Sequence, residues 1–238
     1  MEAEIIKNLQ ACQLSVKEEA VTLVNEEDMA VGRHKSMSKA WNMKEIKVER
    51  IDTNLSHVFF PSSKEMQRVL SGGPWCFENN VLLMRPWEMG KRPQELMFTH
   101  CPFWVHVRGL PPECYTSVVA SKLSRVFKDC TVVELREKEL DGKWFFRLRV
   151  KVDVTISLRR LINLKCGAGT ITGLLSYERL PNLCFRSGLL GHLIKECTTN
   201  PEERKRDVQY GLWMKSVGEK SRIVQRIKEH GLQDGGTM

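Results

Sequence analysis

Trp144-Phe-Phe-Arg-Leu-Arg-Val-Lys-Val-Asp-Val154 is the stretch on which the reading of the fold turns. Its side chains alternate. Phe146, Leu148, Val150 and Val152 fall on one side, and Phe145, Arg147, Arg149 and Lys151 on the other. A period of two marks a strand with one apolar and one polar face. Just before it, Asp141-Gly142 is a hairpin-turn pair, and Thr131 to Arg136 supplies the partner strand. Further upstream, Ser117 to Phe127 reads as a helix, with Val118, Leu123, Val126 and Phe127 available for packing. Phe103 to Arg108 is a strand closed by Gly109-Leu110-Pro111-Pro112. Downstream, Ser157 to Leu164 reads as a short helix and Thr170 to Tyr177 as a last strand. Strand, helix, strand, strand, helix, strand is the split βαβ, or ferredoxin-like, plan.

The same order is read ahead of it. Ala20 to Val24 is a short apolar strand, and Arg33 to Trp41 a weak helix. Lys44 to Ile51 and Leu55 to Phe60 form a hairpin about Asp52-Thr53-Asn54. Ser62-Ser63-Lys64-Glu65 carries a hydroxyl cap and a following acid, a helix start, and Gly72-Gly73-Pro74 stops that helix. Trp75 to Phe77 and Val81 to Trp87 are strands, and Lys91-Arg92-Pro93-Gln94 is a linker. The expected class is therefore α+β, with two tandem ferredoxin-like (βαββαβ, RRM-like) units. The expected divisions are a lead-in at 1–19, the first unit at 20–93, the second at 98–180, a degenerate knuckle at 181–198 and a charged helical tail at 199–238. In that tail Trp213, Val217, Ile223, Val224 and Ile227 line a helix between residues 206 and 229.

The chain has 238 residues, is 42% hydrophobic and 28% charged, and carries a formal net charge of +8. That is enough apolar side chain for one large core or two small ones. A basic balance of this size suits a polyanion, either nucleic acid or an anionic membrane surface. The first thirty or so residues are acidic, while Arg136 to Lys165 and Arg204-Lys205-Arg206 are basic, so a polyanion site is expected in the second half. There is no secretory signal and no apolar run long enough to cross a bilayer, which predicts an intracellular protein that does not engage a membrane. No Ser-His-Asp set, paired carboxylates or phosphate loop is evident, and the expectation is a protein that is not an enzyme.

Six of the eight cysteines are scattered singly and read as small buried hydrophobes. The other two bracket Cys184-Phe-Arg-Ser187-Gly-Leu-Leu-Gly191-His192-Leu-Ile-Lys-Glu-Cys197. A zinc knuckle needs Cys, two residues, Cys, four residues, His, four residues, Cys, so that four ligands meet around one tetrahedral ion. Cys184, His192 and Cys197 are in register, whereas Ser187 stands at the second Cys position. A serine hydroxyl stays protonated and binds weakly, so Zn2+ affinity is expected to be weakened or absent. The bland alternative is two thiols and a surface histidine in a loop.

Alternation also defines a second candidate. If the apolar sets of Phe103 to Arg108 and Trp144 to Val154 pack under the helices, the open face gathers Trp104, His106, Arg108, Phe145, Arg147, Arg149 and Lys151. Rings that stack on bases beside cations that meet phosphates are what single-stranded nucleic acid requires. Arg186 and Lys195 add charge beside the knuckle. The competing reading is a basic sheet face covered by another part of the chain.

Several stretches are together more specific. Trp41-Asn42, Val69-Leu70-Ser-Gly-Gly73-Pro74-Trp75-Cys-Phe77, Val81-Leu-Leu-Met-Arg-Pro-Trp87 and Pro102-Phe-Trp104-Val-His-Val-Arg-Gly109-Leu110-Pro111 resemble a plant domain of unknown function. Tyr177-Glu178-Arg179-Leu180-Pro181-Asn-Leu-Cys184 is similar to that family's lead into a CCHC zinc knuckle, and Gln209-Tyr210-Gly211-Leu-Trp213 to the segment that follows it. The family comprises Gag-like portions of LINE-type retrotransposons and plant proteins derived from them. The resemblance implies binding of nucleic acid and zinc without catalysis in this segment. The metal positions carry over only as Cys184, His192 and Cys197. The expected partner is RNA or single-stranded DNA. The alternative is a protein-interaction or self-assembly scaffold with no direct nucleic-acid contact, resting on the apolar stripe of the tail.

Overall fold

A computed structural model describes residues 20–23, 37–44, 46–52, 54–127, 129–166, 169–198, 209–216 and 221–227. The lead-in at 1–19 and the cluster Arg204 to Arg206 lie outside the described residues. The protein is α+β and rich in strand, and it divides into two compact units that meet between residues 99 and 100.

The first unit holds β1 (Ala20–Leu23), helical residues at 37–41, β2 (Lys47–Asp52), β3 (Leu55–Phe59), α1 (Ser63–Gly72), β4 (Trp75–Phe77) and β5 (Asn80–Pro86). Its sheet runs β2-β3-β1-β5-β4, with every neighbouring pair antiparallel. The expected cap is present: the Ser62 hydroxyl accepts from the Glu65 amide at 3.3 Å, a device worth ~1 kcal/mol to a helix start. Met66 and Val69 of α1 are buried in a core with Trp41, Ile46, Val58, Phe60 and Leu82. Trp75 packs on this core and donates its indole N–H to the Val69 carbonyl at 2.8 Å, which ties the strand after Gly73-Pro74 back to the helix.

The second unit holds β6 (His100–Arg108), α2 (Ser117–Val126), β7 (Cys130–Lys138), β8 (Trp144–Asp153), β9 (Leu161–Cys166), β10 (Gly169–Glu178), β11 (Lys215–Ser216) and β12 (Ser221–Ile227). The sheet order is β11-β10-β6-β8-β7-β12, with β9 paired to β10. Of the apolar sets read from alternation, Phe103, Val105 and Val107 on β6 and Phe146, Leu148 and Val150 on β8 are buried, and Val152 is partly exposed. Helix α2 buries Val119, Ala120 and Leu123. Of the scattered cysteines, Cys101, Cys114 and Cys130 are buried and Cys76 is exposed.

Two expectations are corrected. Ser157 to Leu164 is not a helix: its second half is strand, because Leu161 to Cys166 pairs antiparallel with Gly169 to Leu174. Ile162 and Leu164 are buried while Leu161, Asn163 and Lys165 are exposed, a period of two that a short apolar run does not distinguish from a helix. Gly173 lets this hairpin close against β6, since a Cβ there would lie 2.9 Å from Val107 and 3.1 Å from Ile162. The tail is not helical where it is described. A 3-10 turn at Leu212–Met214 leads into β11, and β12 adds to the edge of β7. An unpaired strand edge offers backbone partners to β-branched residues such as Ile223 and Val224, and that pairing outweighs local helix pattern. Among the described residues, no helix is long and apolar enough to cross a membrane.

Candidate functional site

The loop after β10 draws three metal-ligand residues together. Its frame is backbone. Leu183 and Leu190 form a single isolated bridge, the Gly188 amide donates to the Cys184 carbonyl at 2.8 Å, and the Cys184 amide donates to the Leu189 carbonyl at 2.9 Å. Gly188 and Gly191 have φ of +72° and +91°, the left-handed region where glycine costs least. One ligand atom each from Cys184, His192 and Cys197 lie within 4.8 Å of one another. Both cysteines are buried and His192 is partly so.

Ser187 stands beside this cluster. Its amide donates to the Cys184 sulfur at 3.5 Å, its hydroxyl oxygen lies 3.4 Å from His192 Nε2, and that oxygen accepts from the Leu189 amide at 3.3 Å. Two sulfurs and an imidazole suit a borderline-soft cation and do not suit calcium or magnesium, which take oxygen ligands. The donor set therefore fits a metal ion, with the fourth position left to the Ser187 hydroxyl or to solvent.

The loop is also held from outside. The Ser157 hydroxyl donates to the Ser187 carbonyl at 2.6 Å, and the Leu158 amide donates to the Gly188 carbonyl at 2.8 Å. The Tyr210 ring covers Gly188 so closely that a Cβ there would lie 2.2 Å from it. Arg160 sits 5.7 Å from the Tyr210 ring centroid and donates to the Gln209 carbonyl. Arg186 is partly exposed and Lys195 exposed on the loop itself.

The basic sheet face comes together as alternation requires. Trp104 pairs with Arg149 across β6 and β8, and His106 with Arg147. The Arg147 guanidinium lies 3.6 Å from the Trp104 ring centroid, His106 stacks on Phe145 at 4.5 Å, and Arg108 lies 5.7 Å from Phe145. Its exposure differs from the expectation. Phe145 is 2% exposed, His106 6% and Arg149 8%, while Trp104, Arg108 and Arg147 are partly exposed and Lys151 is exposed.

Two carboxylates explain the closure. Glu178, at the end of β10, accepts from Arg147 Nε at 2.6 Å and Nη2 at 3.0 Å, and it sits 2.6 Å from His106 Nε2. Glu134 on β7 is 1% exposed and accepts from Arg147 at 3.1 Å, Arg136 at 3.0 Å and Arg226 of β12 at 2.9 Å. Burial by itself would raise the Glu178 carboxyl, but hydrogen bonds from His106 and Arg147 and the Arg147 charge outweigh it and hold it at about 2. Burial likewise opposes ionisation of Glu134, and its arginine partners win, lowering its pKa. Burial holds His106 below its ordinary value despite Glu178. Arg108 Nη2 can only donate, so at 3.0 Å it makes His106 Nδ1 an acceptor and leaves the Nε2–H for Glu178. The face is thus closed over by ion pairs in place of an open platform. Glu134 carries no signal within its own strand, because it is the β7–β8 register that sets it directly opposite Arg147.

Residues 31–95 match the family described as a domain of unknown function (DUF4283), well under half of the chain and confined to the first unit. The Cys–His cluster and the basic face lie in the second unit. No curated protein and no solved structure matches the chain.

Proposed function

We propose that the protein binds single-stranded nucleic acid, RNA or DNA, without catalysing a reaction, and that its Cys184–His192–Cys197 cluster takes Zn2+ with reduced affinity. The observation that carries this reading is a thiol–imidazole–thiol cluster set in a loop that also bears Arg186 and Lys195 and rests against Arg160. When bound, zinc would tie Cys184, His192 and Cys197 together within a loop already held by Ser157 and Leu158. The protein's own cations would do the binding, in a chain with net charge +8. Lys151 and Lys195 are exposed and Arg186 and Trp104 partly so, and these form the contact set. His106, Phe145 and Arg149 are buried and brace it from beneath, with Arg108 and Arg147 pinned at its edge by Ser216 and by the two glutamates.

The finer fold reading belongs to the same proposal. β2-β3-β1-β5 in the first unit and β7-β8-β6-β10 in the second follow one order, that of the ferredoxin-like plan, and this supports two tandem units. The second unit reaches it without a second helix, its place taken by β9. Together with the knuckle-like spacing, this supports descent from a plant LINE-type retrotransposon Gag-like protein.

A second reading, a self-assembly scaffold, is favoured by one feature. β12 ends the sheet order among the described residues and exposes Ile223 and Val224, 47% and 46%. An exposed apolar edge strand is a template for another chain. Filter binding with single-stranded RNA, single-stranded DNA and duplex, alongside light scattering, separates the two. Saturable single-strand binding by a monomer supports the first reading, and a concentration-dependent oligomer that retains no strand supports the second.

A further inference from the structure

The second unit contains a cavity of about 430 Å³ that shares no residue with the Cys–His cluster. Its walls include Arg108, Leu110, Tyr115, Lys138, Lys143 and Trp144. One wall is the β7–β8 turn, held by the Gly142 amide donating to the Lys138 carbonyl and the Lys138 amide to the Lys143 carbonyl, both at 3.0 Å. The Asp141 carboxylate accepts from the Lys143 amide at 3.1 Å and fixes the same turn. The aromatic wall is ordered too. Tyr115 and Trp144 meet edge to face at 6.0 Å, and Tyr115 leans on the buried Phe146 at 5.4 Å. Trp144 is 41% exposed, so its ring is open to a ligand.

The chemistry selects the occupant. Flat rings favour a flat ligand, and Lys138 and Lys143, with the Arg108 guanidinium engaged by Ser216 and His106 behind them, favour an anionic one. The volume lies toward the small end of ligand sites, which suits one nucleotide and excludes a peptide helix. Acidic peptides and lipid headgroups offer the charge but no planar ring. The ion pair between Lys143 and Asp141, at 3.4 Å with Lys143 77% exposed, is a weak surface pair that yields readily to a phosphate.

We infer that this cavity takes one unstacked base of a single-stranded chain, its ring against Trp144 and Tyr115 and its phosphate between Lys138 and Lys143. The inference rests on the nucleic-acid reading above and names where that strand is gripped.

The test uses the full chain and fluorescence anisotropy with two labelled strands of equal length, one bearing bases and one abasic throughout. Trp144→Ala should weaken binding of the base-bearing strand by at least about fivefold, the loss of one stacked base, and leave the abasic strand unchanged. Trp144→Phe keeps a ring and should retain the preference for bases. Lys138→Ala with Lys143→Ala should weaken both strands. Equal effects of Trp144→Ala on the two strands, or no effect on either, would overturn the cavity assignment and leave nucleic-acid binding standing. Failure of the unaltered protein to hold either strand at low salt would overturn the nucleic-acid reading itself, and the cavity assignment with it.

Discussion

The Cys–His loop and the sheet face of the second unit sit in one compact body and reach opposite ends of the same scale. The sheet face is complete: each carboxylate has its cations, and Arg147 satisfies two acids while lying over Trp104. The loop is different: its backbone is held by hydrogen bonds, and Cys184, His192 and Cys197 stand together in a cluster that could hold a metal ion, beside the Ser187 hydroxyl. Arginines already paired to carboxylates brace a surface, and a cluster of ligand atoms that could hold a metal is where an external group can still act. Aromatic rings beside arginines are therefore not enough to identify a binding surface. What neutralises the arginines decides.

The contrast is broken most severely at Glu134. Glu134→Ala would leave Arg147 and Arg136 partly buried with one carboxylate fewer, and breaking a buried pair costs about 3–5 kcal/mol. A loss near 3 kcal/mol in urea denaturation is expected, because Arg226 is 59% exposed and can turn to solvent. A change under 1 kcal/mol would mean the cluster is not what closes the face.

Acid probes the same cluster. The folded pKa of Glu178 is held at about 2, below the ordinary 4.5, so its stabilisation is present at neutral pH and is lost as pH falls from about 4.5 toward 2. His106 is held below its ordinary 6.5 by burial, so the folded state resists protonation there and stability begins to fall below about pH 6.5. Thermal melts from pH 8 to 3 should show a first decline from His106 and a steeper one from Glu178. His106→Gln should remove the first and keep the second.

Gly188 sharpens the comparison from the loop side. Gly188→Ala meets both a φ of +72° and the Tyr210 ring, and a cost of about 2 kcal/mol is expected. Adding Tyr210→Ala should return part of that loss, leaving the backbone share.

The smallest expected effect is that of metal removal. The loop is tethered by hydrogen bonds from Ser157 and Leu158 and covered by the Tyr210 ring, so chelation should shift stability by less than about 1 kcal/mol. Ser187→Cys should raise zinc affinity roughly tenfold or more, read by competition with a chromogenic chelator, and should make stability sensitive to chelation.

These outcomes bear on how much of the molecule was legible beforehand. The alternation in β6 and β8, the Ser62 cap and the Asp141-Gly142 turn are local signals, and each lies where it was expected. The spacing of Cys184, His192 and Cys197 was also legible, since a short loop brings its own residues together. The misses are of two kinds. Residues 161–166 are a strand in a local hairpin with the adjacent β10, where a short apolar run reads equally well as helix, whereas 221–227 pair with β7, a partner far away in the sequence. The closed face depends on Glu178 meeting an arginine 31 residues earlier and on Arg226 meeting Glu134 across 92. No pattern within a window of ten residues carries those pairings.

The central claim, that this chain grips a single strand through exposed cations, is tested most directly by titrating single-stranded RNA against the full protein at increasing salt. A logarithmic affinity that falls linearly with logarithmic salt, at a slope near −0.7 per phosphate engaged, is the predicted result. An affinity that does not move with salt, or no retained RNA at 50 mM, roughly the lowest salt at which phosphate contacts should dominate, would contradict it.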